Sequence, residues 1–268
     1  MADEDEELLD RLESVWDSMA RLGDTLSEPE WKTLTECPGW TVQDCYAHII
    51  GIEATSMGRP EPQRSPSLDH VKNDLGKSNE MWVDAYRELT GAQLLEEFRA
   101  VTGERLASLR APDADLGADS WTPVGPGTVR DLIPFRIFDS WIHEQDARRA
   151  IDRPGGWDSA GARTAMEHIE RIMPMVVGKR VAPPDGTTVV FSIRGPLVRA
   201  LPIGMVDGRA RILDEVPAAP TVTMLMDGDT FVRLSSGRGD PHEVVRSVTF
   251  EGDAELGERV ALQMNFLF

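Results

Sequence analysis

The run P-P-D-G-T-T-V-V-F-S-I, residues 183–193, separates two parts of the chain with different character. Residues 183–186 are turn formers, and the alternating β-branched segment 188–193 that follows them predicts a strand. Apolar residues before this run recur at helical spacing, whereas short strand-like segments prevail after it. The sequence therefore predicts a two-domain α+β protein. We place a helical bundle at residues 1–157 and a small α+β domain, with a linking helix, at residues 158–268.

Helices account for most of the first part. Thr41 and Asp44 have the spacing of a capping box, so a helix is expected from there to about residue 57, and Thr128 is the expected N-cap of a later helix that ends near residue 153. Residues 112–127 are rich in Pro, Gly and Asp and are interpreted as a long loop. The other helices are predicted at about residues 8–22, 68–89, 92–109 and 159–177.

The second part is expected to contain four strand regions. They are predicted at residues 188–193, 203–213, 221–226 and 247–251, and the second of them includes a possible hairpin around Asp207-Gly208. Two short helices are expected at residues 229–236 and 254–262.

Composition restricts the classes of function. The chain has 268 residues and a formal net charge of −18, which repels phosphate backbones and anionic lipids, so nucleic-acid and membrane-surface roles are disfavoured. The first residues are acidic, unlike a signal peptide, and no apolar run is long enough to cross a bilayer. We expect a cytoplasmic protein whose cysteines, Cys37 and Cys45, are reduced thiols.

The segment F-D-S-W-I-H-E-Q-D-A-R-R-A, residues 138–150, contains the candidate site. Asp139 and His143 are four residues apart, which places them on one face of a helix. With His48 they would form a set of two imidazoles and one carboxylate, which leaves open coordination positions on a divalent metal. A surface Asp–His pair and a core histidine explain the same residues. The apolar neighbours favour burial, where such groups require a partner or a metal.

Several other residues enter this interpretation. Glu144 and Asp146 are alternative ligands, and Asp146 lies where it would orient the His143 ring. His70, His168 and His242 are interpreted as solvated. The Gly-rich phosphate-binding motifs and the G-x-S-x-G elbow of serine hydrolases are absent from the sequence, so metal-assisted chemistry remains.

The segment C-P-G-W-T-V-Q-D-C-Y-A-H-I-I-G, residues 37–51, together with residues 138–150, resembles the mycothiol-dependent maleylpyruvate isomerase family. The resemblance covers nearly the whole chain. It implies a DinB-like four-helix bundle followed by a sterol-carrier-like α+β domain. It also implies that His48, Asp139 and His143 bind a divalent metal, most often zinc. The isomerase has Glu where this chain has Asp139, and the shorter side chain could shift the position of the metal.

The resemblance further implies a mechanism and its partners. The thiol of mycothiol, or of a similar low-molecular-weight compound, would bind the metal as a thiolate and attack a small electrophile, in an isomerase or S-transferase reaction. The cleft between the two domains is the expected place for the thiol cofactor, and Arg238 in S-S-G-R-G-D is a candidate cofactor-binding residue. Arg238 could equally cap the helix before it. The chain is expected to be a monomer or a homodimer.

Two other functions remain open at this stage. The chain could be a non-catalytic protein that binds or senses a metal or an apolar ligand, because one fold supports many functions. It could also be a metal-dependent hydrolase, with Glu144 as the nearest base.

Overall fold

The computed structural model describes residues 2–267 and consists mainly of helices. The helices are α1 Ala2–Gly23, α2 Glu28–Trp31, α3 Val42–Ser56, α4 Asp74–Tyr86, α5 Gly91–Leu109, α6 Val129–Ala150, α7 Ala160–Met175, α8 Gly228–Ser236, α9 Pro241–Val244 and α10 Ala254–Leu262. A π-helical segment, Val176–Val181, continues α7, and a 3₁₀ turn, Val245–Ser247, follows α9.

The strands form one hairpin and one sheet. They are β1 Asp119–Thr122, β2 Gly125–Thr128, β3 Thr188–Arg194, β4 Arg199–Val206, β5 Arg209–Ile212, β6 Val222–Asp227 and β7 Thr249–Gly252. The strands β1 and β2 pair with each other, and the other five form a sheet in the order β5-β4-β3-β6-β7. Of the four strand pairings in this sheet, only that of β3 with β6 is parallel. The predicted α+β class is thus confirmed.

The chain forms two compact units, Met1–Ala165 and Met166–Phe268. The division falls inside α7, whereas our interpretation of the sequence places it before that helix, between residues 157 and 158.

The first unit is a bundle in which α1, α3, α5 and α6 pack on one another. Helix α3 is buried over most of its length. Tyr46 on this helix packs edge-to-face against both Trp31 and Phe98, with ring centroids 4.7 and 5.2 Å away, and its hydroxyl donates a 2.7 Å hydrogen bond to the Met19 carbonyl. Aromatic burial of this kind contributes strongly to stability and holds α3 in a fixed position.

The second unit contains the predicted hairpin. Asp207 and Gly208 connect β4 to β5, and their φ angles of 52° and 72° are those of a two-residue turn with both central residues left-handed. The strands and the two longer helices lie close to their expected places, although α9 and the segment at residues 199–202 of β4 were not anticipated.

Two predictions for the first unit need correction. The helix expected at residues 68–89 is shorter, because Asn73 caps α4 by accepting a 2.8 Å hydrogen bond from the Gly76 amide. The segment 112–127 is not only a loop, since it contains β1 and the start of β2. Between residues 2 and 267, no helix is both long and apolar enough to span a bilayer.

His168 on α7 gives a prediction about stability. Burial, with a smaller contribution from Arg171, lowers the pKa of His168 from 6.5 to about 4. The unfolded chain therefore takes up a proton before the folded chain does, and stability falls as the pH drops from about 6.5 towards 4. We expect this residue to account for a loss of about 2 to 3 kcal/mol at pH 4.

The measurement is chemical unfolding of the wild type and of His168→Gln between pH 7.5 and 4. The difference between the free energies of unfolding of the two proteins should change across this range. Titration of the carboxylates affects both proteins equally and therefore cancels in this difference. A constant difference would show that His168 does not cause the loss.

Candidate metal centre

Capping boxes in the sequence determine where the two helices that contain the candidate ligands begin. Thr41 and Asp44 at the start of α3 form the predicted capping box, in which the Thr41 amide donates to Asp44 Oδ2 at 2.9 Å. Thr128 and Asp131 form a second box at the start of α6, again with a 2.9 Å bond from the threonine amide. Each box satisfies amides that the helix leaves free, so both helices begin at defined residues.

Three predicted residues meet between α3 and α6. His48 Nε2 lies 3.1 Å from Asp139 Oδ2, and His143 Nε2 lies 3.7 Å from Asp139 Oδ1. The two imidazole rings have centroids 4.9 Å apart, and one ligand-type atom from each residue lies within 4.8 Å of the others. Both rings are buried, whereas the Asp139 side chain is 29% exposed. The cluster is therefore reached from solvent beside the carboxylate.

A buried ion-pair chain holds the Asp139 carboxylate. Arg136 Nη1 donates to Asp139 Oδ2 at 2.8 Å, and Arg136 Nε donates to Glu53 Oε1 at 2.7 Å. Burial raises the pKa of Asp139, but the opposing charges of His48 and Arg136 hold it well below the usual value. Burial lowers the pKa of His48, whereas the guanidinium of Arg136 stays cationic across the accessible pH range. Asp139 is consequently an anion whose position is fixed.

His143 lies between two carboxylates. Its Nδ1 is 3.1 Å from Asp146 Oδ2, and that oxygen also accepts a 3.1 Å hydrogen bond from the Cys37 thiol. Burial lowers the pKa of His143, but the hydrogen bonds to Asp146 and Cys37 and the Asp139 charge raise it to about 10 overall. The ring therefore binds a proton at neutral pH, at a place where a metal cation would be favoured for the same electrostatic reason and would displace that proton.

Trp40 forms one wall of the cluster. Its indole ring is tilted over both imidazoles, with centroids 5.0 Å from His48 and 5.6 Å from His143, and its Nε1 donates to the buried Glu80. A turn that starts with Cys37-Pro38-Gly39 positions it: the Trp40 amide donates to the Cys37 carbonyl at 3.0 Å, and Gly39 has a φ of 79°. Proline followed by glycine at positive φ is the preferred sequence of a type II turn.

Other predicted residues lie elsewhere. Glu144 Oε1 accepts hydrogen bonds from Ser18 at 2.7 Å and Arg148 at 2.8 Å, so its carboxylate is directed towards α1 rather than towards the cluster. Arg238 belongs to the second unit, is 9% exposed and donates through Nη1 to the Ser236 carbonyl at the end of α8. This contact is the helix-capping alternative, and cofactor binding by Arg238 stays a prediction.

The interpretation of three histidines as solvated is wrong for two of them. His70 Nε2 lies 2.8 Å from Oε1 of the buried Glu80, and His168 is half-buried in the second unit. His242 is exposed as expected. Charged partners distant in sequence, such as Glu80 for His70, are not visible in a local pattern.

Comparison with known proteins places the chain in a family. Residues 12–148, just over half of the sequence, match the family described as the mycothiol maleylpyruvate isomerase N-terminal domain. The chain belongs to this family. The matched segment contains α3, most of α6 and all three residues of the His48–Asp139–His143 cluster, as the resemblance at the sequence level led us to expect.

Two solved structures share the fold of this family member. One is a crystal structure of the mycothiol-dependent maleylpyruvate isomerase, with a TM-score of 0.55 and 15% identity. The other is a histidine-to-alanine mutant of the mycothiol-dependent maleylpyruvate isomerase, with a TM-score of 0.57 and 14% identity. Each comparison covers 92% of this chain and 92% of the solved chain. No curated protein sequence gives a significant match.

Three residues that contribute to the site were not predicted as site residues from the sequence. Trp40, Arg136 and Cys37 all contact the cluster or its partners. Arg136 precedes Asp139 by three residues, which is the spacing of neighbours on a helix and could have identified it. The contacts of Cys37 and Trp40 depend on the path of the turn at residues 37–40, which helical spacing does not determine.

Proposed function

We propose that this chain is a metal- and thiol-dependent enzyme, an isomerase or S-transferase that acts on a small electrophile with mycothiol as the thiol. The observation that carries the proposal is the convergence of His48, Asp139 and His143 in one cluster, with both Nε2 atoms facing the same carboxylate. Membership of the mycothiol maleylpyruvate isomerase N-terminal domain family supports the choice of thiol and reaction.

The donor set fits a divalent metal of the catalytic type. Two imidazole nitrogens and one carboxylate oxygen are the ligands of many catalytic zinc sites, which keep further positions for water or substrate. We propose zinc, held by His48, Asp139 and His143. A zinc ion bound there would supply Lewis acidity, which lowers the pKa of a thiol that binds it and so provides a thiolate at neutral pH.

The remaining residues have roles in positioning. Arg136 keeps Asp139 ionised and fixes its orientation, since it donates to Oδ2 from the adjacent turn of α6. Asp146 accepts the proton on His143 Nδ1, which leaves Nε2 directed at Asp139. Carboxylate partners of this kind fix the tautomer of a ligating histidine. Trp40 covers both rings and limits the access of water from its side.

The exposed edge of Asp139 indicates where the thiol and the electrophile approach. The His48 and His143 side chains are 6% and 7% exposed, against 29% for Asp139, so solvent contact in the cluster is concentrated at the carboxylate. A site with little water strengthens electrostatic stabilisation of a developing anion. We propose that the sulfur attacks an unsaturated carbon there. Addition would open the carbon–carbon π bond and leave its electron pair on the conjugated anion. Rotation about the resulting single bond and expulsion of the thiolate would give the isomer, whereas protonation of the anion would give the S-substituted product.

The test combines metal analysis with turnover. Purified wild type should contain about one zinc per chain and should convert maleylpyruvate, or another electrophile from a panel, only when mycothiol is added. Chelation should abolish turnover, and zinc should restore it. Protein without stoichiometric metal would overturn the metal proposal. Metal-loaded protein that shows no thiol-dependent turnover would overturn the enzyme proposal and favour a binding protein.

A further inference from the structure

A second cluster of metal-ligand side chains adjoins the first. The sulfurs of Cys37 and Cys45, a ring nitrogen of His143 and a carboxylate oxygen of Asp146 all lie within 4.8 Å of one another. All four residues are buried, at 6% exposure or less. They come from three places in the fold, namely the turn before α3, the first turns of α3 and the second half of α6. We call these four residues the dithiol cluster.

Polar contacts join three members of the dithiol cluster, Cys37, His143 and Asp146. The Cys37 thiol donates to Asp146 Oδ2 at 3.1 Å, and His143 Nδ1 lies 3.1 Å from the same oxygen. Cys37 Sγ is 4.0 Å from that ring nitrogen. Metal ions replace protons on such groups, because a ligating thiol must lose its proton and a ligating imidazole must offer a free lone pair.

The donors define the class of ion. Two sulfurs with one nitrogen and one oxygen suit a tetrahedral, thiophilic d¹⁰ cation, whereas hard cations such as Mg²⁺ prefer oxygen ligands. The charge of such a site is also compensated. Two thiolates and the Asp146 carboxylate would surround a divalent ion, and Arg149, which also pairs with Glu36 at 3.2 Å, places Nη2 2.5 Å from Asp146 Oδ1. A divalent ion would therefore leave little uncompensated charge in the buried cluster.

His143 is common to both clusters and cannot serve both at once. Its Nε2 faces Asp139, and its Nδ1 faces Asp146 and Cys37. A neutral imidazole has one lone pair, and the other ring nitrogen keeps its proton. An ion in the dithiol cluster thus needs the proton on Nε2, while an ion in the His48–Asp139–His143 cluster needs it on Nδ1.

We propose that Cys37, Cys45, His143 and Asp146 form a second metal site, selective for thiophilic d¹⁰ cations, whose occupation withdraws His143 from the first cluster. The two clusters are then alternatives, and a soft cation displaces the ion held by His48. The dithiol site itself does not depend on the proposed function, but the displacement rests on it.

Cadmium is the probe, and thiolate-to-metal charge-transfer absorption in the ultraviolet is the readout. The chain has only two cysteines, so a thiolate signal can arise only from Cys37 and Cys45. Titration of the reduced, full-length wild type with Cd²⁺ should produce this band with an endpoint near one ion per chain. The cadmium NMR shift of the same sample should report sulfur ligation, and zinc present at the start should be released.

Variants separate the two sites. Cys45→Ala and Cys37→Ala should each lose at least half of the band, with circular dichroism as the check that they fold. His48→Ala should keep the whole band, because His48 is not in the dithiol cluster. If the cysteine variants do not fold, the cadmium NMR shift of the wild type still decides whether sulfur is bound.

Three outcomes would overturn the proposal, and a fourth would overturn the proposed function alone. Absence of the band in wild type would overturn the dithiol site even if zinc is bound by the first cluster. A band that survives unchanged in either cysteine variant would do the same. Zinc and cadmium held together at one each per chain would overturn the competition for His143. If the wild type binds no zinc and the His48→Ala variant still shows the full band, the proposed function fails while the dithiol site stands.

Discussion

The His48→Ala variant should lose the zinc of the His48–Asp139–His143 cluster and its thiol-dependent turnover while keeping its fold. His48 supplies one of three ligand atoms, and its contact with Asp139 is the one described polar contact of its ring, whose Nδ1 is buried with no hydrogen-bond partner. Changes to residues that merely orient a ligand weaken metal affinity roughly 10- to 100-fold. Removal of a ligand should therefore weaken zinc binding by more than about 100-fold.

The measurements for this variant are zinc content after dialysis, turnover with mycothiol and circular dichroism. His242→Ala is the matched control, because it removes an exposed histidine from the second unit. The control should retain metal and activity. Both variants are made in the Cys45→Ala background, so that the dithiol cluster cannot retain zinc. Equal zinc retention in both would then mean that His48 is not a ligand.

The Glu53→Gln variant should be less stable by about 3 to 5 kcal/mol, which is the usual cost of breaking a buried ion pair by removing one partner. Glu53 on α3 is 1% exposed and pairs with Arg136 Nε on α6 at 2.7 Å and with Arg105 Nε on α5 at 3.5 Å. Glutamine keeps the shape, but Arg105 loses the carboxylate it pairs with and Arg136 is left with that of Asp139 alone. Because Arg136 also holds Asp139, metal affinity should fall as well.

Urea unfolding of Glu53→Gln and Glu104→Gln provides the comparison. Glu104 pairs with Arg59 at the surface and is 58% exposed, so its variant should lose at most about 1 kcal/mol. If both variants are destabilised equally, the buried chain from Glu53 to Asp139 does not hold α3, α5 and α6 together.

Sequence patterns were sufficient to predict most of the fold, because most of its helices, strands and turns are determined by residues that lie close together in the sequence. The capping boxes at Thr41 and Thr128 and the Asp207-Gly208 turn each depend on residues within four positions of one another. The β1–β2 hairpin was missed because Pro, Gly and Asp in the segment 112–127 are also typical of loops. The length of α4 was overestimated because Asn73 was not recognised as its N-cap.

The candidate site was only partly predictable for the same reason. Asp139 and His143 are neighbours on one helix, so their spacing was informative, and the apolar neighbours of His48 made it the candidate for the third ligand. The ion pair from Glu53 to Arg136 connects two helices, and that from Glu80 to His70 connects α4 with the segment before it. The contact of Cys37 with Asp146 spans 109 residues. Such pairings depend on the packing of the bundle and leave no periodic signal in the sequence.

Helix α6 contributes Arg136, Asp139, His143 and Asp146 to adjoining parts of the site, at intervals of three, four and three residues. Each residue of an α-helix advances the chain by about 100° of rotation. One residue added or removed between positions 136 and 146 would turn part of this set away from the rest. The site can therefore diverge by substitution, but this stretch of α6 should tolerate no change in length during evolution.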